Sequence, residues 1–250
     1  DGHSHLLSST VPNCRSYDPS YGYELAVILQ DGLKRMYADD ESVFYYITLL
    51  NENYVHPPMP KGVEEGVCKG MYLLRKGPGG KAKSAKPRVQ LLGSGSILRE
   101  VIAGAELLQQ DFGVESDIWS ATSFTELRRD GLAIERWNRL HPTAKRKQSY
   151  VEQCLEGQQG PVIASTDYMK AVADQIRPYV PGRYLTLGTD GFGRSDTRKQ
   201  LRRFFEVDRY NVAVTALKAL ADEGTVAISK AAEAIEKYDI DPEAPEPWTV

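Results

Sequence analysis

Cysteine is scarce in this sequence, and long apolar runs are absent from it. Only Cys14, Cys68 and Cys154 occur among 250 residues, and no two of them form a CxxC pair. Three cysteines cannot all pair in disulfides, so we expect free thiols and a reducing, cytoplasmic compartment. No apolar run approaches the roughly 18 residues of a membrane-spanning helix, so we expect no membrane segment.

A strong charge of either sign is also missing. The sequence has 31 Lys and Arg against 34 Asp and Glu, a formal net charge of −3. This balance offers neither an overall basic field for nucleic acid nor an acidic tail. No Gly-x-Ser-x-Gly elbow supports hydrolase chemistry. The first residues, DGHSH, contain no Met and do not resemble a signal peptide. We therefore expect the chain to be a piece of a longer protein.

Strand-like and helix-like segments alternate along the chain, which predicts an α/β fold. In the first part, the pattern predicts a strand over 10–17 and a buried strand over 43–50, where apolar, aromatic and β-branched residues follow one another. Apolar residues at helical spacing predict a helix over 19–37. Asp18 and Pro19 fit the N-cap and the first position of this helix.

The middle of the chain lacks such periodic patterns. Proline and other turn formers fill HPPMPKG at 56–62, and RKGPGGKAKSAKPR at 75–88 carries six positive charges and no acid. The basic string predicts a solvated loop or the tip of a hairpin, and we predict a domain boundary between about 57 and 70. The predicted organisation is a first domain over 1–57, a linker with the basic loop over 58–88 and a second domain over 89–250.

A second α/β series follows the basic loop. Its strands are predicted at 89–97, 117–124, 160–168 and 183–193. Its helices are predicted from Ile97 to Leu108, at 125–138, up to Ile176, and at 197–205, 209–223 and 226–238. Ser195 and Asp196 are candidate caps of the helix at 197–205.

The segment DGHSH is the first candidate for chemistry, because it joins Asp1 with His3 and His5. In an extended segment the two histidines would point to the same side. The segment is a solvated polar loop, or part of a zinc site, or a source of acid–base and hydrogen-bonding groups at a carbonyl centre. Zinc needs three or four ligands, and the only other histidines are His56 and His141. This shortage argues against the metal interpretation.

Two glycine-containing strings also admit two interpretations each. GSGS at 93–96 fits a tight turn capped by Ser96, or a phosphate cradle made of backbone N–H groups. It lacks the third glycine of a dinucleotide fingerprint and the Lys of a P-loop, which favours the turn. TDGFGRSD at 189–196, which contains Arg194, is either a turn that precedes a helix or a functional loop.

Several longer strings together resemble one enzyme family. They are DGHSH, PNCRSYDPSYGYELAVILQDGL, YYITLLNENY, LLGSGSILRE, SATSFTELRRDG with ERWN, STDYMK and LGTDGFGRSDTR. They resemble the decarboxylating component of the pyruvate dehydrogenase complex, of the homodimeric, single-chain bacterial type. The resemblance implies that residues 1–57 end the domain that binds the aminopyrimidine ring of thiamine diphosphate. It also implies a transketolase-type C-terminal α/β domain from about residue 70 onward.

The resemblance further implies an activity and its partners. In the family, thiamine diphosphate with Mg²⁺ supplies a carbanion that attacks the keto carbon of pyruvate, and carbon dioxide leaves. The acetyl unit then passes to a lipoyl group of the dihydrolipoyl acetyltransferase component. A first alternative is that this chain is a non-catalytic dimerisation and docking module of the same complex. An HxH metallohydrolase is the second alternative.

The sequence departs from the family pattern in its cofactor motifs. The GDG…N motif is absent, and the activating glutamate is expected upstream of Asp1. The resemblance therefore implies that the main cofactor ligands lie outside this chain. By its position in the family, His5 is the candidate to hydrogen-bond a developing alkoxide or supply a proton, with His3 as a competing candidate. Asp1 would orient them or contact substrate, and the C-terminal domain would serve subunit packing.

Overall fold

The structure, a computed structural model, describes residues 2–78 and 86–250. Its strands are β1 (Cys14–Tyr17), β2 (Phe44–Ile47), β3 (Tyr72–Arg75), β4 (Arg88–Gly93), β5 (Glu115–Ser120), β6 (Val162–Ser165) and β7 (Tyr184–Leu187). Its α-helices are α1 (Ser4–Ser9), α2 (Gly22–Leu33), α3 (Glu64–Lys69), α4 (Leu98–Phe112), α5 (Phe124–Leu140), α6 (Tyr150–Leu155), α7 (Lys170–Asp174), α8 (Arg198–Phe204), α9 (Arg209–Asp222) and α10 (Ser229–Lys237). A π-helical turn at Lys34–Ala38 extends α2, and 3₁₀ turns lie at Gly95–Ile97 and Arg177–Tyr179.

The strands form two sheets. Strands β1 and β2 pair in parallel, and five strands pair in the order β3-β5-β4-β6-β7. In the larger sheet only β3 runs antiparallel to its neighbour. Parallel strands joined by helices confirm the predicted α/β fold.

Helices cover both faces of the larger sheet. Leu91 and Ile118 lie in one core with the residues of α4 and α9, whereas Leu92 and Trp119 lie in a second core with those of α5 and α7. Neighbouring residues of a strand point to opposite faces, so each central strand supplies both cores. Helix α4 packs against α9, and α9 packs against α10.

The first part of the chain rests on the carboxyl end of this sheet. The backbone N–H of Asp18, just after β1, donates to the carbonyl of Thr122, just after β5, at 2.8 Å. The N–H of Gly95, just after β4, donates to the carbonyl of Asp18 at 3.2 Å. Parallel strands gather their carboxyl ends at one edge, where ligand crevices of α/β sheets lie. The residues that follow β1 are therefore placed at that edge.

Several local predictions are confirmed and several are wrong. Helices at 209–223 and 226–238 are confirmed by α9 and α10. The strand predicted at 43–50 is short and only partly buried, because β2 has β1 as its one neighbour in the described sheets. Neither Ser195 nor Asp196 caps α8; the Thr197 hydroxyl accepts from the Gln200 N–H at 3.4 Å.

The segment predicted as a linker over 58–88 contains regular structure. Helix α3 and strand β3 both fall within it, and β3 joins the larger sheet beside β5. Helix α6, between α5 and β6, is also absent from the sequence prediction. Residues 79–85 of the predicted basic loop lie outside the described residues. No helix within the described ranges has the length and apolar composition needed to cross a membrane.

Candidate functional site

Helix α1 separates the two histidines of DGHSH. His3 lies at the N-cap of α1 and is exposed, whereas His5 is only 4% exposed. The prediction of an extended segment with both rings on one side is therefore wrong. Residues two positions apart on a helix lie on different faces, because successive residues are rotated by about 100°. Asp1, the third candidate, lies outside the described residues.

Both ring nitrogens of His5 have hydrogen-bond partners. Nδ1 lies 2.5 Å from the hydroxyl of Ser16 on β1, and Nε2 lies 2.9 Å from the hydroxyl of Thr48, just after β2. The Ser8 hydroxyl, one turn along α1, donates to Ser16 at 2.9 Å. These bonds fix the ring of His5 between α1 and the small sheet.

Burial makes His5 a neutral side chain. Removal of the ring from water lowers its pKa to about 4, because the charged form loses hydration without gaining a carboxylate contact. A neutral imidazole carries one N–H donor and one acceptor nitrogen, which matches two hydroxyl partners. In this chain His5 is suited to hold α1 in place and not to carry a positive charge.

Asp18 continues the network beyond Thr48. Its Oδ1 accepts from the Thr48 hydroxyl at 2.8 Å, and the residue is 5% exposed. Burial raises the pKa of the carboxyl group to about 7, although the bond from Thr48 opposes this effect. The Asp-Pro pair predicts Asp18 at a helix N-cap, and that prediction is wrong. Helix α2 begins at Gly22, and Glu24 instead accepts from the N–H groups of Ser20 and Tyr21.

The strand-to-helix string GSGS forms a turn beneath this carboxylate. Gly95 has φ +49°, a left-handed conformation that favours glycine, and begins the 3₁₀ turn before α4. The turn interpretation is confirmed, but Ser96 does not cap the helix. Its hydroxyl accepts from the guanidinium of Arg202 at 3.2 Å.

Two spaces of different size lie near His5, and the ring lines only the smaller one. A space of about 10 Å³ lies between His5, Asp18 and Tyr168, and it admits a single water at most. A cleft of about 560 Å³ opens on the far side of Thr48 and Tyr168. Volumes of this order accommodate small-molecule ligands. Thr48 and Tyr168 therefore separate the buried histidine from an open cleft.

The cleft contains groups of both signs. Arg194, Arg198 and Arg202 line it together with Asp167, whose carboxyl pKa is raised by burial. The Arg198 guanidinium donates to the Asn51 carbonyl, and that of Arg194 donates to the carbonyl of the last residue. Part of the TDGFGRSD string thus borders the cleft, as Thr189, Gly193 and Arg194.

The described residues do not fit the diphosphate and Mg²⁺ of the expected cofactor. Across 2–78 and 86–250, no three His, Cys, Asp or Glu side chains gather closely enough to hold a metal ion. The GDG…N motif is also missing from the sequence. Cys14, Cys68 and Cys154 carry free thiols.

The network of Asp18 and Thr48 is the part of the site that sequence reasoning missed. Asp18 and Thr48 are 30 positions apart, and both lie in segments interpreted through local patterns. The only sequence signal was their position at the ends of two predicted strands. Parallel pairing of β1 with β2 brings those ends together.

Two family models together match most of the chain. The model for "Transketolase-like TK C-terminal domain" matches residues 70–208, and that for "Pyruvate dehydrogenase E1 component middle domain" matches residues 1–57. The chain belongs to the transketolase-like C-terminal domain family. The fold class predicted from the family resemblance is confirmed.

Relatives extend this result over the whole chain. The pyruvate dehydrogenase E1 component of Cupriavidus necator is 61% identical over 250 residues, all of this chain and 28% of the relative. That of Escherichia coli K12 is 56% identical over 96% of this chain and 27% of the relative. The predicted resemblance to bacterial pyruvate dehydrogenase is confirmed. The chain spans little more than a quarter of these relatives.

Solved structures share the fold at low identity. A transketolase from Leishmania mexicana aligns with a TM-score of 0.58 and 17% identity, covering 98% of this chain and 28% of that one. A chain described as "Split gene transketolase, inactive beta4 tetramer" aligns with a TM-score of 0.53 and 14% identity, covering 88% of this chain and 62% of that one. These structures are similar to the chain in fold.

Proposed function

We propose that the chain is part of the decarboxylating component of a cytoplasmic, homodimeric pyruvate dehydrogenase. The whole subunit would decarboxylate pyruvate oxidatively and pass the acetyl group to the lipoyl group of a dihydrolipoyl acetyltransferase. The observation that carries this proposal is the 61% identity over the entire chain with a protein of that name. Because the chain spans 28% of that relative, the activity belongs to the whole subunit, and the chain alone is expected to be inactive.

Thiamine diphosphate and Mg²⁺ are the proposed cofactors of the whole subunit. The bound thiamine diphosphate would supply carbanion chemistry at the keto carbon. Its anchoring residues are assigned outside this chain, since the described residues offer no metal-ligand cluster. Calorimetric titration of the 250-residue chain with thiamine diphosphate and Mg²⁺ should detect no binding. Tight binding would contradict this assignment.

The two histidines receive different roles in the proposal. His3 is exposed at the start of α1, and we assign it the contact with a substrate oxygen. His5 is buried and bonded at both nitrogens, so it acts as a positioning residue that holds α1. Asp1 stays a candidate for orienting His3 or contacting substrate.

Substitution of His3 in the full-length subunit tests this assignment. Loss of a hydrogen-bond donor at a developing alkoxide costs on the order of 10²–10³ in rate, so His3→Ala should lower kcat by that factor without loss of folding. His141→Ala is the matched control, because His141 is an exposed histidine at the end of α5. Full activity of His3→Ala would refute the role of His3. Failure of the full-length subunit to consume pyruvate with both cofactors would refute the function.

One observation favours a dimerisation role for this part of the subunit. Leu29, Leu33 and Tyr37 follow one another at helical spacing on α2 and its π-helical extension, and they are 47%, 57% and 79% exposed. An apolar stripe of this kind is typical of a covered interface. Leu33→Glu should shift the full-length subunit toward monomer in analytical ultracentrifugation. An unchanged dimer would exclude this stripe from the interface.

A further inference from the structure

Asp18 stands at the buried end of a chain of four hydrogen bonds. From Asp18 Oδ1 the chain passes through the Thr48 hydroxyl at 2.8 Å and His5 Nε2 at 2.9 Å. From His5 Nδ1 it passes to the Ser16 hydroxyl at 2.5 Å and the Ser8 hydroxyl at 2.9 Å. The members come from three segments, which are α1, the end of β1 and the residue after β2, so the fold brings the hydrogen-bonded groups together.

The direction of each bond follows from Asp18. An ionised Asp18 carboxyl can only accept, so above about pH 7 the single hydrogen of Thr48 points to Asp18 Oδ1 at 2.8 Å in preference to the carbonyl of Tyr17 at 3.3 Å. The Tyr168 hydroxyl is a further neighbour of the Thr48 hydroxyl. With its hydrogen on Asp18, Thr48 presents a lone pair to His5, so Nε2 must carry the ring hydrogen. Nδ1 is then the acceptor, and the Ser16 hydroxyl donates to it.

We propose that Asp18 is a positioning residue that acts through the Thr48 hydroxyl to fix the Nε2–H tautomer and the orientation of His5. The inference rests on the proposed function, since His5 holds the helix that carries His3. If the opposite tautomer formed, Nε2 would need a donor from Thr48, and Thr48 would turn away from the carboxylate. The buried carboxylate would then lose its bond from Thr48.

The surroundings of Asp18 make its buried carboxylate unfavourable for stability. Its second oxygen, Oδ2, accepts no hydrogen bond of good geometry in the described part of the chain, although the nearby Ser94 hydroxyl lowers the carboxyl pKa and partly offsets the effect of burial. The charged groups that face it include Asp167 and Glu24, both of which add negative charge. A buried carboxylate with one unsatisfied oxygen and carboxylate neighbours is costly, and such costs cluster at functional sites. The raised pKa of Asp18, about 7, reflects the same burial.

Gly95 shapes the space that the carboxylate needs. A Cβ at Gly95 would lie 2.6 Å from Asp18 Oδ2 and 2.8 Å from Oδ1. A side chain there would push the carboxylate from its place beneath Thr48. The turn after β4 is therefore built so that Asp18 can reach the hydroxyl.

NMR measures the tautomer of His5 directly. The 250-residue chain contains four histidines, so ¹⁵N-labelled histidine gives a spectrum that single substitutions can assign. At about pH 8, where the Asp18 carboxyl is ionised, the parent should show the Nε2–H form of His5. Thr48→Val removes the acceptor and should convert His5 to the Nδ1–H form, whereas Thr48→Ser should keep the parent form. Asp18→Asn, whose amide can donate to Thr48, should lower the Nε2–H population.

Turnover of the full-length subunit is the second measurement. Outer hydrogen-bond partners of metal-binding histidines affect activity by about 10- to 100-fold. By analogy, we expect Thr48→Val and Asp18→Asn each to lower kcat by about tenfold or more, with KM little changed. The double variant should lose no more kcat than the more damaging of the two single variants, because both substitutions act through the same hydrogen bonds. Thr225→Val, at an exposed threonine, is the control and should match the parent.

The outcomes separate this inference from the proposed function. An unchanged Nε2–H form in both Thr48→Val and Asp18→Asn would overturn the inference, and so would losses of kcat that multiply in the double variant. If His3→Ala keeps full activity while the tautomer responds as expected, the proposed role fails and the positioning by Asp18 stands. Should Asp18→Asn fail to fold, the Thr48 pair alone decides.

Discussion

The ring of Tyr168 packs edge-on against that of His5, with centroids 4.4 Å apart and an angle of 83° between the planes. Tyr168 follows β6 of the larger sheet, and His5 lies on α1. The contact joins the N-terminal segment to the second domain predicted from sequence. It also forms part of the wall between the buried histidine and the cleft.

Substitution of Tyr168 should weaken the packing between the N-terminal segment and the larger sheet. Tyr168→Leu removes the edge-to-face contact and leaves unfilled space, so we expect the free energy of unfolding to fall by about 2–3 kcal/mol. Tyr168→Phe keeps the ring and should cost less than about 1 kcal/mol. Denaturant unfolding of the chain measures both. Equal losses in the two variants would mean that the hydroxyl, and not the ring, supplies the stability.

Gly95 offers a test of the crowding beside Asp18. Gly95→Ala adds a left-handed backbone cost of about 1–2 kcal/mol to a contact with the carboxylate, so its total loss should exceed that range. Gly113, the C-cap of α4, also has a positive φ, +66°, but a Cβ there would meet nothing within 4 Å. Gly113→Ala should therefore show the backbone cost alone. Equal losses at the two positions would show that Asp18 accommodates the methyl group freely.

The sequence predicts elements that depend on local pattern and misses those that depend on distant partners. The spacing of apolar residues in α9 and α10 was sufficient, because each helix packs through one stripe. Strand β3 was missed because its place in the sheet depends on pairing with β5, more than 40 positions away. An Asp-Pro pair is a local signal for a helix start, so the sequence predicts Asp18 as a cap. Its actual partners, Thr48 and Gly95, are brought to it by the fold.

The stability of the chain should respond to pH through two opposing groups. The pKa of His5 falls from 6.5 to about 4 on folding, so its contribution is present above pH 6.5 and is lost as pH falls toward 4. The pKa of Asp18 rises from 3.8 to about 7, so its contribution is present below pH 3.8 and is lost as pH rises toward 7. Between about pH 4 and pH 7 the two groups therefore change the free energy of unfolding in opposite directions as the pH changes.

Single substitutions should reveal the pH dependence of stability that each group contributes. Between about pH 7 and about pH 5, these two groups should change the free energy of unfolding of the parent little. Each group contributes about 2 kcal/mol, and the two contributions have opposite signs. His5→Gln should gain relative stability on acidification, and Asp18→Asn should lose it. Denaturant unfolding at the two pH values measures the difference, with His141→Gln as the exposed control. Parallel pH profiles in all variants would contradict the assignment of these groups.

Arg88 forms a buried ionic cluster at the opposite, amino-terminal end of the larger sheet. Its guanidinium contacts Asp117 at 2.7 Å and also Glu115, and all three side chains are at most 5% exposed. Arg88→Met leaves two buried carboxylates without their cation, so the free energy of unfolding should fall by about 3–5 kcal/mol. Arg183 pairs with Asp222 at 3.2 Å, with side chains 39% and 32% exposed, and water screens such a pair. Arg183→Met should therefore cost less than about 1 kcal/mol. A similar small loss for Arg88→Met would show that Glu115 and Asp117 take up protons or water when the guanidinium is removed.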